Sequence, residues 1–116
     1  MIDRDGDRRV LAAMAEAGAD LSKPAQTIDY LYFSSIDAAM KAEEDLRAAG
    51  YENVRVERAP AASAIDRLVH RHRYSCIGEA HAVPEEAAVF ATTERMNALA
   101  AKRGGEYDGW EASIEK

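Results

Sequence analysis

The three histidines and the single cysteine are the residues that could bind a metal ion, because His70, His72, Cys76 and His81 lie close together in the chain. On an extended strand, the first two histidines and the cysteine would point to one face. Structural zinc sites need four closed ligands, usually in CxxC or HxxxH pairs, and these spacings are absent. Arginines also alternate with the histidines and would repel a cation. We therefore expect no stoichiometric metal and no cofactor.

Acid–base chemistry is a second possibility, because Glu79 and His81 would share one strand face. Asp29 or Tyr30 could approach them from a neighbouring strand and complete a proton-transfer pair. Cys76 lies in an apolar strand, whereas a nucleophilic thiol needs a base and an electropositive setting. The sequence contains no Walker phosphate loop, no GxGxxG and no GxSxG. We therefore predict a protein that is not an enzyme, and a small-ligand or enzyme domain stays open as an alternative.

The elements that position these residues are predicted from hydrophobic periodicity, turn residues and helix-capping residues. Residues 59–73 fit either a helical turn or the start of a long strand. The other segments predict one helix followed by the order β-α-β-β-α-β: helix 7–17, strand 27–33, helix 36–49, strand 54–57, strand 74–83, helix 84–103 and strand 106–115.

This order predicts an α+β, ferredoxin-like two-layer fold with an extra N-terminal helix. Its four-stranded antiparallel sheet would have the first and third strands in the middle, and these are the more apolar strands in the sequence. No linker divides the chain, so we expect a single domain over residues 1–116. The side chains predicted to face the helices are Leu31, Phe33, Cys76, Ala80, Trp110 and Ile114.

The opposite face of the sheet would display Tyr30, Tyr32, Glu79 and His81. Exposed aromatic side chains beside a few polar groups are typical of a protein interface, because tyrosine supplies contact area with little loss of entropy. We predict these four residues as the partner-binding site. Self-association through this face, or cover by the leading helix, are the alternatives.

The composition of the chain limits its partners and its location. The 116 residues include 21 acidic and 15 basic side chains, for a net charge of −6, which argues against direct binding of nucleic acid. A single cysteine suits a reducing compartment, so we expect a cytoplasmic protein. The charged N-terminal residues do not resemble a signal peptide, and no apolar run approaches the ~18 residues of a membrane span.

RNA binding stays as an alternative because RNA-recognition modules share this element order and stack bases on aromatic side chains of the two central strands. Residues 28–33, IDYLYF, would suit the first of those strands. The third strand lacks the Lys/Arg-Gly-aromatic run of these modules and has one histidine and one acid instead.

The run Gly105-Glu106-Tyr107-Asp108-Gly109-Trp110, directly after a helix, resembles the signature of the regulator of ribonuclease E activity B (RraB) family. Other pieces are similar in the same order: a leading helix that ends in Gly-Ala-Asp, a strand that begins Thr-Ile-Asp and a helix that ends in Gly-Tyr. The four residues that carry the family motif are Tyr107, Asp108, Gly109 and Trp110.

The resemblance implies a ferredoxin-like fold and a non-catalytic protein that binds the endoribonuclease RNase E and lowers or redirects its RNA cleavage. A purely structural role for the motif is predicted beside this. Trp110 would share a strand face with Ala112 and Ile114 and fill the core, while Asp108 and Gly109 shape the strand. The oligomeric state has no signature in the sequence.

Overall fold

A computed structural model describes residues 4–58 and 74–116. Residues 59–73, for which the sequence predicts either a helical turn or the start of a strand, lie outside the described residues. His70 and His72 belong to this segment. The elements follow the predicted order: α1 (Arg4–Glu16), β1 (Ala25–Phe33), α2 (Ile36–Ala48), β2 (Glu52–Arg58), β3 (Tyr74–Ala82), α3 (Glu86–Lys102) and β4 (Glu106–Ala112).

The ends of the helices follow from their capping residues. The side chain of Ser35 caps α2 by accepting a hydrogen bond of 3.2 Å from the backbone N–H of Ala38. After α2, Gly50 adopts a φ of 93°, which lets the N–H of Tyr51 reach back to the carbonyl of Leu46 at 3.1 Å. The prediction that α3 begins at Pro84 was wrong. Its N-cap is Glu85, so the proline lies just outside the helix.

The four strands form one sheet of order β2-β3-β1-β4, and every neighbouring pair is antiparallel. This confirms the predicted α+β fold, with the two apolar strands in the middle. Because side chains alternate along a strand, one face of β1 carries Leu31 and Phe33, which pack against the helices. Cys76 pairs with Leu31 and shares this face, which we call the helix face.

The main core lies between the helix face and the helices α2 and α3. Leu31, Phe33 and Cys76 are fully buried there, and the helices meet them with small side chains and a few large ones: Ala39, Ala42, Leu46, Met96 and Ala100. A second cluster joins Leu11 and Met14 of α1 to Ala25 of β1, with Trp110 packed beside them. The leading helix therefore packs on the same side of the sheet as the other two helices.

Helical periodicity did not identify the buried face of α2, and one prediction about the core was wrong. Ile36 and Met40 fit the helical periodicity of α2, yet they are 49% and 50% exposed, because α2 buries its alanine stripe and Leu46 against the sheet. Ile114 was placed in the core, but β4 ends at Ala112 and its side chain is 40% exposed. None of the helices in the two described ranges is long and apolar enough to cross a membrane.

An ion pair joins α2 to α3 and gives the fold a pH-dependent contribution to stability. Arg103 donates from Nε and one Nη to the two carboxylate oxygens of Asp45, at 2.8 and 3.0 Å. These hydrogen bonds lower the pKa of Asp45 below its ordinary value of 3.8. The contribution is therefore complete above that value and is lost as the pH falls through the lowered pKa.

We expect Asp45→Asn to lower the free energy of unfolding at pH 7 and to have a smaller effect at pH 2, because falling pH favours the protonated form of the native carboxylate. Urea unfolding of both proteins across this range measures the difference. Glu44→Gln, on the same helix but exposed, is the control. A deficit for Asp45→Asn that is equally large at both pH values would contradict this assignment.

Candidate functional site

The four residues predicted to bind a partner lie together on the sheet face that points away from the helices. We call it the open face. Its two central strands contribute side chains in register: Gln26 opposite His81, Ile28 opposite Glu79, Tyr30 opposite Ile77 and Tyr32 opposite Ser75. In the described part of the chain, all three helices pack on the other side, so the alternative in which α1 covers this face is wrong.

Glu79 is the centre of a hydrogen-bond network that crosses three strands of the open face. Its carboxylate accepts hydrogen bonds from Asn53 at 2.5 Å and from Arg55 at 2.8 Å, and a further one from Gln26 on β1. These hydrogen bonds, those from Asn53 and Arg55 first, lower the pKa of Glu79. A carboxylate that is held ionised by three donors is a poor proton donor at neutral pH, so it suits the surface better than acid–base catalysis.

The two tyrosines of the open face stay protonated over the physiological range. The hydroxyl of Tyr30 donates a hydrogen bond to Glu111 of β4, and this bond raises the pKa of Tyr30 to about 12. Partial burial, and then the charge of Asp108, raise the pKa of Tyr32. The face therefore offers neutral aromatic rings that are bordered by carboxylates.

Cys76 and His81, the two candidate metal ligands within the described residues, lie on opposite faces of the sheet. Cys76 is buried on the helix face, whereas His81 lies on the open face, so these two cannot bind one ion together. Among residues 4–58 and 74–116, no group of three or more potential ligands converges. Burial raises the pKa of the Cys76 thiol to about 12, which leaves almost no thiolate at neutral pH.

The family motif in β4 forms hydrogen bonds to two buried acids. The Tyr107 hydroxyl donates to Asp29 of β1 at 2.6 Å. The Trp110 indole N–H donates to Asp7 of α1 at 2.9 Å, and the Thr93 hydroxyl donates to the second oxygen of the same carboxylate at 2.7 Å. The motif therefore fixes β4 to the first strand, the leading helix and α3 at once.

Asp108 and Gly109 form a β-bulge between these two motif residues. Tyr107 pairs with Leu31 and Gly109 with Tyr30, which leaves Asp108 as the extra residue on β4. Gly109 has a φ of 110°, a conformation that side chains rarely adopt. Because of the bulge, Tyr107 and Trp110 both point to the helix face, although they are three residues apart. The structural role of the motif stays a prediction.

Comparison with known families gives the same assignment. The family model described as "Regulator of ribonuclease activity B" matches residues 4–112, which include every helix and strand of the fold. The chain belongs to the RraB family. A search of curated proteins finds no match. RraB proteins are non-catalytic regulators of ribonuclease activity, which confirms the predicted class of function.

Asp7 and Asp29 are the residues of this RraB protein that sequence reasoning missed. They are only 5% and 2% exposed, although acidic residues are seldom buried without a partner. Asp29 had been considered only as a possible neighbour of the open-face histidine, yet it lies on the helix face. The strand alternation could have predicted its burial, because residues 29, 31 and 33 share one face of β1.

Proposed function

We propose that this protein binds RNase E in the cytoplasm and regulates it by occupying a surface of the nuclease, with the open face as its contact. Membership of the RraB family supports a ribonuclease as the partner. The observation that carries the choice of surface is that Tyr30, Tyr32, Glu79 and His81 share one sheet face that no described helix covers. Regulation by contact needs no reactive group.

The chemistry of the open face favours a protein partner. Tyrosine rings lose few rotatable bonds when they are buried, and tyrosine is enriched among the residues that dominate binding energy. Arg55 and Glu79 already satisfy each other at 2.8 Å, so a partner that covers them does not bury an unpaired charge.

Direct RNA binding, the alternative kept from the sequence, is disfavoured by the charges beside the tyrosines. Glu111 accepts the hydrogen bond from Tyr30. Glu79 is two residues further along β3 than Ile77, the residue that pairs with Tyr30. A base stacked on these rings would bring its phosphates close to both carboxylates. Surfaces that bind single-stranded RNA combine aromatic rings with positive charge, which these acids oppose.

Replacing Tyr30 and Tyr32 together by alanine should weaken binding to purified RNase E by about 2 kcal/mol or more, which is roughly 30-fold in Kd. The fold should remain largely intact, because both rings lie outside the two buried clusters. Calorimetry with the nuclease measures the affinity, and thermal unfolding checks the fold. The control is Ile36→Ala with Met40→Ala, which removes two exposed apolar side chains from the other side of the molecule. If the control weakens binding and the tyrosine variant does not, the open face is not the contact.

The identity of the partner is tested separately by affinity capture from lysate of the source organism, with and without ribonuclease treatment. We expect RNase E to be recovered in both cases. Loss of every partner after ribonuclease treatment would support the RNA-binding alternative and contradict the proposal.

A further inference from the structure

A pocket of about 210 Å³ lies on the helix side of the sheet, separate from the open face. Its walls come from residues 49–51 directly after α2, from Ala80 and Ala82 at the end of β3, from residues 83–84 after that strand, and from α3. Thr27 and Asp29 of β1 and two residues of the family motif, Tyr107 and Trp110, also line it. The pocket is therefore built partly from the residues that identify the family.

Three aromatic side chains and one buried acid meet in this pocket: Tyr51, Tyr107, Trp110 and Asp29. Most of the remaining wall is apolar and is formed by small residues such as Ala80, Val83 and Val89. Aromatic rings beside a carboxylate form an environment that attracts organic cations, since the ring quadrupole and the charge both favour a positive head group.

The charge of Asp29 is compensated only in part by the protein itself. It is 2% exposed, and its donors are two neutral hydroxyls, that of Tyr107 at 2.6 Å and that of Tyr51. Arg95, an exposed cation on the pocket wall, attracts the Asp29 carboxylate and also donates to Thr92 at 3.2 Å. Burial outweighs these interactions and raises the pKa of Asp29. A positive group within the pocket would supply the missing compensation.

We propose that this pocket binds a small organic cation with an alkylammonium head, placed against Asp29 and among the rings of Tyr51, Tyr107 and Trp110. An engineered protein cavity of roughly 150 Å³ holds benzene, which has six heavy atoms. On that scale, 210 Å³ suits a ligand of about eight heavy atoms. The same head group is also present on a lysine side chain, so a free metabolite and a lysine of a protein are the two sources of this chemistry.

Choline, with seven heavy atoms, is a suitable probe, and 3,3-dimethyl-1-butanol is its neutral isostere. Trp110 is the only tryptophan of the chain and lines the pocket, so its fluorescence reports occupancy. We expect choline to shift the fluorescence saturably and to bind at least 10-fold more tightly than the alcohol. Nα-acetyl-lysine methylamide is the probe for a protein source, and the tighter of the two cations identifies the source. Equal binding of choline and the alcohol, or no binding of either cation, would overturn the proposal.

Three variants on α3, one of them a control, test the position of the site and the sign of the charge it selects without changing Asp29. Ala88→Leu adds bulk to the pocket wall and should weaken choline binding at least 10-fold, while Ala98→Leu, an exposed position of the same helix outside the pocket, should leave it unchanged. Arg95→Gln removes the competing positive charge and should strengthen binding about two- to fivefold. Weaker binding by Arg95→Gln would mean that the pocket selects an anion, which would contradict the proposal.

Asp29→Asn keeps the shape of the side chain and an acceptor for Tyr107 but removes the charge. It should abolish the preference for choline over 3,3-dimethyl-1-butanol while thermal unfolding shows a folded protein. A preference that survives this change would overturn the role of Asp29. Binding of RNase E depends on the opposite face of the sheet and should be unchanged in Ala88→Leu, so failure of the pocket proposal and failure of the proposed function are distinguishable.

Discussion

Replacing Trp110 by alanine is expected to lower the free energy of unfolding by about 3 kcal/mol, the lower end of the range for aromatic side chains because the ring is partly exposed. The indole packs against the cluster formed by Leu11, Met14 and Ala25. Its removal also takes one of two hydrogen-bond donors from the buried carboxylate of Asp7. A buried charge that loses a donor adds its own cost to the loss of packing.

Trp110→Phe helps to separate these two contributions, because it removes the N–H donor but keeps an aromatic ring and most of its packing. It should be less destabilising than Trp110→Ala. Urea unfolding of both variants, beside the Tyr30 and Tyr32 double variant, provides the comparison. A stable Trp110→Ala together with an unfolded tyrosine variant would mean that the two faces of the sheet have been interchanged.

Replacing Gly105 by alanine is expected to cost about 3 kcal/mol, comparable to severe overpacking of a core. A Cβ atom built at this position would lie 2.3 Å from the backbone oxygen of Tyr32 and 2.4 Å from the ring of Phe33. Neither neighbour can move freely, because one is the backbone of a central strand and the other is fully buried. The start of β4 would have to separate from β1 to relieve the contact.

Gly104 is the matched control. It is the adjacent glycine, but its backbone conformation favours glycine, whereas at Gly105 the close neighbours do. Its φ is 74° and a Cβ there would meet nothing within 4 Å, so Gly104→Ala should cost only about 1 kcal/mol of backbone strain. Denaturant unfolding measures both variants. Equal losses would show that the contact with Tyr32 and Phe33 does not decide the identity of residue 105.

The sheet could be predicted from the sequence because its signals are local and agree with one another. Alternation in β1 separates Leu31 and Phe33 from Tyr30 and Tyr32, and the observed faces follow that alternation. The helix ends were also visible, since Gly50 and Gly104 stand where the chain needs a positive φ. Gly105 also follows the end of α3, but its need for glycine depends on the approach of β1, which is distant in sequence.

The buried acids and the pocket could not be predicted, because they arise from contacts between distant elements. Asp7 was assigned only to the start of an amphipathic helix, and its burial depends on Thr93 and Trp110. Similarly, Ile36 and Met40 are the large apolar residues in the first half of α2, yet the helix face that packs on the sheet is the one that carries its buried alanines. Which of two plausible helix faces is buried is decided by the size of the side chains it must meet, here Leu31, Phe33 and Cys76.

The bulge in β4 has a consequence for how this protein avoids aggregation. Asp108 interrupts the ladder on one edge of the sheet, and a register shift between Glu52 and Arg55, where Asn53 has a φ of 49°, interrupts it on the other. Irregular, charged edge strands are poor templates for a strand from another molecule. Fibril-like stacking through either edge is thereby discouraged. A partner that docks on the open face can also dissociate without breaking any strand pairing within the sheet.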